Sequence, residues 1–205
     1  MHQFRGRLIA WPSLLLAVAL LASYPSLTYA AAETCGVWRW SIKTLSDADA
    51  SQVNFVPVAR TISQLRRRKE PAELKKDTPR TSPLEFTVYR VRARLVEYKR
   101  EKDRDLHVVI ASPTRSNRTM VAEVVDPTCP GASDSPRANT LKTVRQEFID
   151  VFGQPVASFK NVPSQPVVFL IGVGFWDSCT PGHIPRGAAP KCVEIHPVLD
   201  VEPLP

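Results

Sequence analysis

The sequence predicts a mainly β fold: a five-stranded, OB-like Greek-key barrel with one helix between its third and fourth strands, preceded by an N-terminal extension. Three observations predict it. Three strand-like runs, Phe86–Tyr98, Asp105–Ala111 and Thr119–Val125, come in succession. A single amphipathic helix, Arg137–Phe152, follows them. Two more strand-like runs, Pro166–Phe175 and Val193–Val201, close the chain. That order is the one an OB-type barrel needs. Such barrels are binding platforms more often than enzymes, and a fold does not set a function.

Residues 1–32 have the layout of a secretory signal: Arg5 and Arg7, an apolar core at Leu14–Ala22, then small residues at Thr28-Tyr29-Ala30 or Ala30-Ala31-Ala32. Pro25, Ser23, Ser26 and Thr28 break the apolar run well short of the ~20 residues a membrane span requires. The expectation is an exported chain, periplasmic or secreted, without stable membrane anchoring. Residues 33–84 form the extension and a basic linker, and residues 85–205 the barrel. All four cysteines lie beyond residue 32, and an even count in an exported chain favours two disulfides over metal ligation. Of the three pairings, Cys179–Cys192 with Cys35–Cys129 is favoured: one closes the Pro- and Gly-rich loop Thr180–Lys191, the other staples the extension to the barrel. Closing the shorter loop is worth ~3 kcal/mol by chain entropy.

The chain carries a formal charge of +7, concentrated in residues 60–104, where fifteen Lys or Arg face seven Asp or Glu. Within that block Arg66-Arg67-Arg68-Lys69 precedes Pro71, Lys75-Lys76, Pro79 and Pro83, the composition of an exposed linker or long loop. Ahead of it, Val37–Thr44 alternates Trp38, Trp40 and Ile42 with Arg39, Ser41 and Lys43 and is expected to add a strand to the barrel edge. Ser46–Leu65 is read as a helix starting near Asp47, with Pro57 as its weak point.

In the first barrel strand Tyr89, Val91, Ala93 and Leu95 alternate with Arg90, Arg92 and Arg94, giving one apolar face and one basic face. The phase blurs at Val96, as it does where a long strand bends through a bulge. In the second strand Leu106, Val108 and Ile110 point one way, Asp105, His107 and Val109 the other. The third ends at Asp126-Pro127. For the helix, Ser135 is the expected cap, Pro136 fits the first turn, and Gly153 and Pro155 stop the far end. Leu141, Val144, Phe148 and Val151 fall on its apolar face. Val167–Val173 is nearly all apolar and predicts a strand covered on both sides. Pro197 suits an edge position or a strand end.

Asp103, Asp105 and His107 share one strand face, as do Glu194 and His196; Glu123 and Asp177 complete a set of two imidazoles and several carboxylates. Those residue types hold a divalent metal or supply a general acid and base. Their spacing matches no ligand signature, and a solvated sheet face is the plainer reading. The stripe Arg90, Arg92, Arg94 could track a phosphate backbone or an anionic glycan, with Tyr98 and Trp176 as stacking candidates. A soluble charged face is again the plainer reading. Nucleophilic catalysis has no G-x-S-x-G to rest on, Gly172-Val173-Gly174 is a strand end rather than a phosphate loop, and His183 is a loop histidine without a visible partner.

The runs Asp105-Leu106-His107-Val108-Val109-Ile110, Ala122-Glu123-Val124, Gly172-Val173-Gly174-Phe175-Trp176-Asp177 and Glu194-Ile195-His196-Pro197-Val198 resemble a group of exported bacterial proteins of unassigned function with an OB-like barrel. The resemblance covers most of the chain after residue 32 and implies the fold, not a mechanism. OB-type barrels also include a secreted calcium-dependent nuclease family, whose Gly-Asp-Thr metal turn has no counterpart in this sequence.

Two functions follow as expectations. The favoured one is a non-enzymatic binding module without cofactor, which offers the Arg90, Arg92, Arg94 face to nucleic acid, glycan or another polyanion. The alternative is a metal-assisted hydrolase or nuclease using His107, Glu123 and His196, the one case that calls for a divalent metal. The alternative needs those three side chains in one small pocket; the favoured reading needs only a contiguous basic face.

Overall fold

The computed structural model describes residues 34–36, 38–179 and 184–204. The expected leader and His183 therefore lie outside the described residues. Glu33–Pro205 form one compact unit, and it is built on a mixed seven-stranded sheet. Its strands are β1 (Asn54–Arg60), β2 (Thr87–Arg100), β3 (Leu106–Ser112), β4 (Arg115–Val124), β5 (Lys160–Asn161), β6 (Val167–Trp176) and β7 (Val193–Pro203). The helices are α1 (Trp40–Lys43), α2 (Ile62–Leu65) and α3 (Ala138–Phe152), of which only α3 exceeds one turn or so.

The length of β2 organises the sheet. Its first half pairs antiparallel with β6, from Val88 opposite Val173 to Arg94 opposite Val167. Its second half pairs with β3, from Arg94 opposite Ala111 to Arg100 opposite Leu106, and the register shifts between Leu95 and Glu97. That shift is the bulge expected at Val96: an extra residue bends the strand so that one element serves two partners. β3 pairs with β4, β4 runs parallel to β7, and β7 pairs with β6. The pairings β2–β3–β4–β7–β6 thus return to β2.

Alternation puts Tyr89, Val91, Ala93, Leu95, Leu106, Val108, Ile110, Met120, Ala122 and Val124 into one apolar core, joined by Val144 and Phe148 of α3. Leu141 packs in a smaller cluster with Val125 and Ala132, while Val151 is left 70% exposed at the helix end. β6 lies between β2 and β7, which explains its unbroken apolar run.

Five readings of the sequence are corrected here. The described residues of Val37–Thr44 add no strand: Arg39 takes a left-handed conformation (φ 45°) and opens α1. The added edge strand is instead β1, inside the predicted helix Ser46–Leu65, and it pairs in parallel with β2. Pro57 explains the switch, since an edge strand tolerates a missing N–H where the register shifts between Asn54 and Val58. The helical remnant is α2, whose Thr61 and Gln64 form a capping box. Ser135 accepts from the Arg137 N–H at 3.1 Å, but α3 begins one step later with Arg137 as its cap. Pro197 sits inside a strand paired on both sides, at the bulge where β7 slips against Gly172 and Gly174. A Cβ at Gly172 would lie 2.5 Å from the Pro197 carbonyl oxygen, so this close approach requires glycine. Finally, Tyr98 and Trp176 are buried and cannot stack on a ligand.

The extension is held to the sheet by charge. Arg39 donates to both oxygens of Glu85 at 2.7 and 2.6 Å, and also to the carbonyls of Thr78, Pro79 and Trp176. Within the irregular linker, Arg80 is buried on the Asp47 carboxylate and donates to the carbonyls of Glu85 and Ile42. Both favoured disulfides are present, Cys35–Cys129 and Cys179–Cys192. No helix among the described residues is long and apolar enough to cross a membrane.

Candidate active site

The sheet face opposite the apolar core is where the polar residues gather. The register places Lys99 opposite His107 and His107 opposite Glu123. Across the parallel pair, Ala122 stands opposite Ile195, and the next step brings Glu123 beside His196. One row across β2, β3, β4 and β7 therefore reads lysine, imidazole, carboxylate, imidazole.

Such a face is ordinarily wet. Here it is covered, and Asp105, His107, Glu123, Glu194 and His196 are all buried. The cover comes from the two disulfide-bonded segments. Cys35 anchors the extension, whose Lys43 ammonium lies 3.9 Å from Glu123 and 3.8 Å from Asp177. The loop closed by Cys179–Cys192 carries Arg186, whose carbonyl accepts from His107 Nε2 at 2.8 Å. Gly187 lies flat against Val109 at φ +81°, and a Cβ there would come within 2.5 Å of the valine methyl. Only glycine lets the loop settle that close.

Glu123 is the hub. One of its oxygens is 3.5 Å from His107 Nδ1 and the other 3.1 Å from His196 Nδ1. His107 Nδ1 also lies 3.4 Å from Glu101, and its ring packs edge-on against Phe159. His196 Nδ1 bonds Glu194 at 3.1 Å, while Nε2 faces Asp105 Oδ2 at 3.4 Å. Neither of those last two atoms makes a hydrogen bond, although both are buried. The other oxygen of Asp105 accepts from the Asp126 N–H at 2.7 Å. The site opens into a pocket of about 640 Å³, lined by Lys43, Lys99, Glu101, Lys102, Asp103, His107, Glu123, Asp177 and Arg186 among others.

The charges set the protonation states. Burial opposes ionising Glu123, but Lys43, His107 and His196 outweigh it and hold the carboxyl well below its ordinary range. Burial likewise disfavours a charged His107, yet Glu123, the Arg186 carbonyl and Glu101 raise its pKa. With Nε2–H committed to the carbonyl, Nδ1 meets two carboxylates, and a second proton there is favoured. Asp103 is pushed up to about 6 by burial and then by Asp105 and Glu123. Glu194 is pushed up to about 7 by burial, Asp177 and Glu123. Lys43 keeps its proton despite its burial, because Glu123, Asp177, Glu194 and Asp105 all attract it.

All seven residues of the predicted polar set, Asp103, Asp105, His107, Glu123, Asp177, Glu194 and His196, belong to this one cluster. The basic stripe fares differently. Arg90 pairs with Glu202 at 2.8 Å and stacks on Phe169, Arg94 donates to the Gln165 carbonyl at 3.3 Å, and Arg92 is exposed. Lys43, Glu101 and Arg186 went unforeseen. Lys43 had a faint signal, as a lone cation beside the apolar Ile42 and Leu45; a backbone carbonyl such as that of Arg186 leaves none. No family model matches the chain, and neither curated proteins nor solved structures yield a match.

Proposed function

We propose that this chain is a hydrolase acting on an anionic ester, with its centre at His107, Glu123 and His196. One observation carries the reading: Glu123 touches both imidazoles, from two neighbouring strands, at the edge of an open pocket. The hydrolase requires the three side chains in one pocket: His107 and Glu123 line it, and His196, fully buried, reaches it through Glu123. A purely structural sheet face would seldom bury two histidines among five carboxylates under stapled segments, since each buried charge costs free energy unless partnered.

The residues divide the work. His107 carries its second proton on Nδ1, towards the pocket-lining Glu101 and Glu123, and serves as general acid to a leaving group. Glu123 stays ionised and orients both rings. Lys43 and Lys102, which line the same pocket, favour a substrate with negative charge. The circuit of strand pairings supports the OB-like barrel, and the two disulfides suit an oxidising, extracytoplasmic setting. The resemblance to exported bacterial proteins with such a barrel fits the same reading. The basic-face binding module has less support, because Arg90 and Arg94 are engaged within the protein.

The test is turnover of bis(p-nitrophenyl) phosphate and p-nitrophenyl esters by the purified protein. Glu123→Gln and His107→Gln should each lower kcat by about 100-fold or more, whereas Arg92→Glu should leave it unchanged. Equal turnover in the wild type and His107→Gln would overturn the assignment.

A further inference from the structure

The geometry points to a divalent transition-metal site formed by Asp105, Glu123 and His196, with His107 outside it. The inference deepens the hydrolase reading by naming its cation, but metal binding is measured without any turnover. Each of the three residues places one ligand atom within 4.8 Å of the others. Proximity alone would be a cluster of acids around a ring. What points to a cation is the pair of atoms left over.

His196 Nδ1 donates to the Glu194 carboxylate at 3.1 Å, which leaves Nε2 as the nitrogen that can ligate. Nε2 faces Asp105 Oδ2 at 3.4 Å, and without a metal, despite burial, the surrounding carboxylates raise the ring's pKa and favour a proton on this nitrogen. Both residues are fully buried and neither atom makes a hydrogen bond. A buried ring nitrogen and a carboxylate oxygen this close need a positive charge between them, which a metal ion supplies by displacing the proton. A tetrahedral ion with bonds of about 2.0–2.1 Å sets its donors about 3.3–3.4 Å apart, which matches this separation.

The supporting contacts are those of a metal site. The Glu194–His196 bond is the carboxylate–histidine pairing that fixes the tautomer of a ligating ring. The Asp126 N–H fixes the other oxygen of Asp105. Charge agrees as well: Asp103, Asp105, Glu123, Asp177 and Glu194 crowd around the Lys43 ammonium and the two imidazoles. The donors are one imidazole and two carboxylates, and all described cysteines are oxidised. That set suits zinc or manganese better than calcium, which prefers oxygen alone. Since Glu123 also lines the pocket, the cation would meet substrate from its side.

The experiment is metal binding by the purified full chain, stripped with chelator, then titrated with Zn²⁺ and separately with Mn²⁺, followed by calorimetry and elemental analysis. One tightly held equivalent is expected. Asp105→Asn and His196→Gln should abolish it, Glu194→Gln should weaken it by about 10- to 100-fold, and His107→Gln should retain it. Because a ligand variant can fail to fold, nitrogen-detected spectra of the wild type give a second readout. The His196 ring should shift with Zn²⁺ and lose its pH titration. Absence of stoichiometric binding overturns the inference. So does binding that survives in a folded Asp105→Asn, or a His196 ring that carries both protons and ignores the metal. Binding without turnover would sink only the hydrolase; turnover unaffected by chelation would sink only the metal site.

Discussion

Replacing Glu85 with Gln should cost about as much stability as truncating a large side chain of the apolar core. Glu85 is fully buried and accepts five hydrogen bonds: two from Arg39, one from the Trp176 N–H, and two from the Thr81 N–H and hydroxyl. Glutamine keeps the shape but removes the charge, and turns an NH2 group towards donors that need an acceptor. The Arg39 guanidinium, whose side chain is itself 0% exposed, is then buried without a counter-charge. Breaking one partner of a buried ion pair costs about 3–5 kcal/mol. For a domain of this size each kcal/mol lowers Tm by about 2–4 °C, so the expected fall is roughly 6–20 °C. Because Arg39 anchors the extension that brings Lys43 to the site, the variant should also be cut faster by protease near residues 34–45. Thermal unfolding by circular dichroism and timed proteolysis measure the two effects. A Tm within about 2 °C of wild type would refute the argument. It would mean that water reaches the pair or that the extension is held by something else.

Other outcomes follow from the same structure. Phe148→Ala should destabilise by about 3–5 kcal/mol, read from the denaturant midpoint, because the ring is 2% exposed and packs edge-on against Tyr98. In the presence of chelator, Asp103→Asn should be more stable than wild type at alkaline pH and equal to it in acid. Its carboxyl is raised to about 6 in the folded state, so its contribution is intact below the ordinary carboxylate range and is lost as pH rises through 6. Thermal melts across that range give the comparison. Alkylation without reduction should label none of the described cysteines. Replacing Cys35 and Cys129 with serine should cost about 4–5 kcal/mol, since the bridge spans 94 residues.

Much of the fold was legible in the sequence because it rests on local periodicity. Alternation in β2 and β3, the apolar run of β6 and the helical stripe of α3 each report which face meets the core, and that preference survives in any context. Gly153 marked the end of α3, where it takes φ +86°, and the favoured disulfide pairing, one bridge closing the Pro- and Gly-rich loop and one stapling the extension, is the one present. The residues before β2 were misread because their structure depends on distant partners. Asn54–Arg60 is a strand because β2 offers an edge to it, and Trp40–Lys43 is a helical turn because Arg39 must reach Glu85. The polar set could be listed from sequence, as histidines and carboxylates interrupting strands, but not weighed. An alternating His or Asp looks the same on a wet face and on a covered one. Only the tertiary structure decided that, by setting β3, β4 and β7 in register and laying two disulfide-bonded segments across them. Burial then lowers the effective dielectric, and charges that water would have screened become a coupled site.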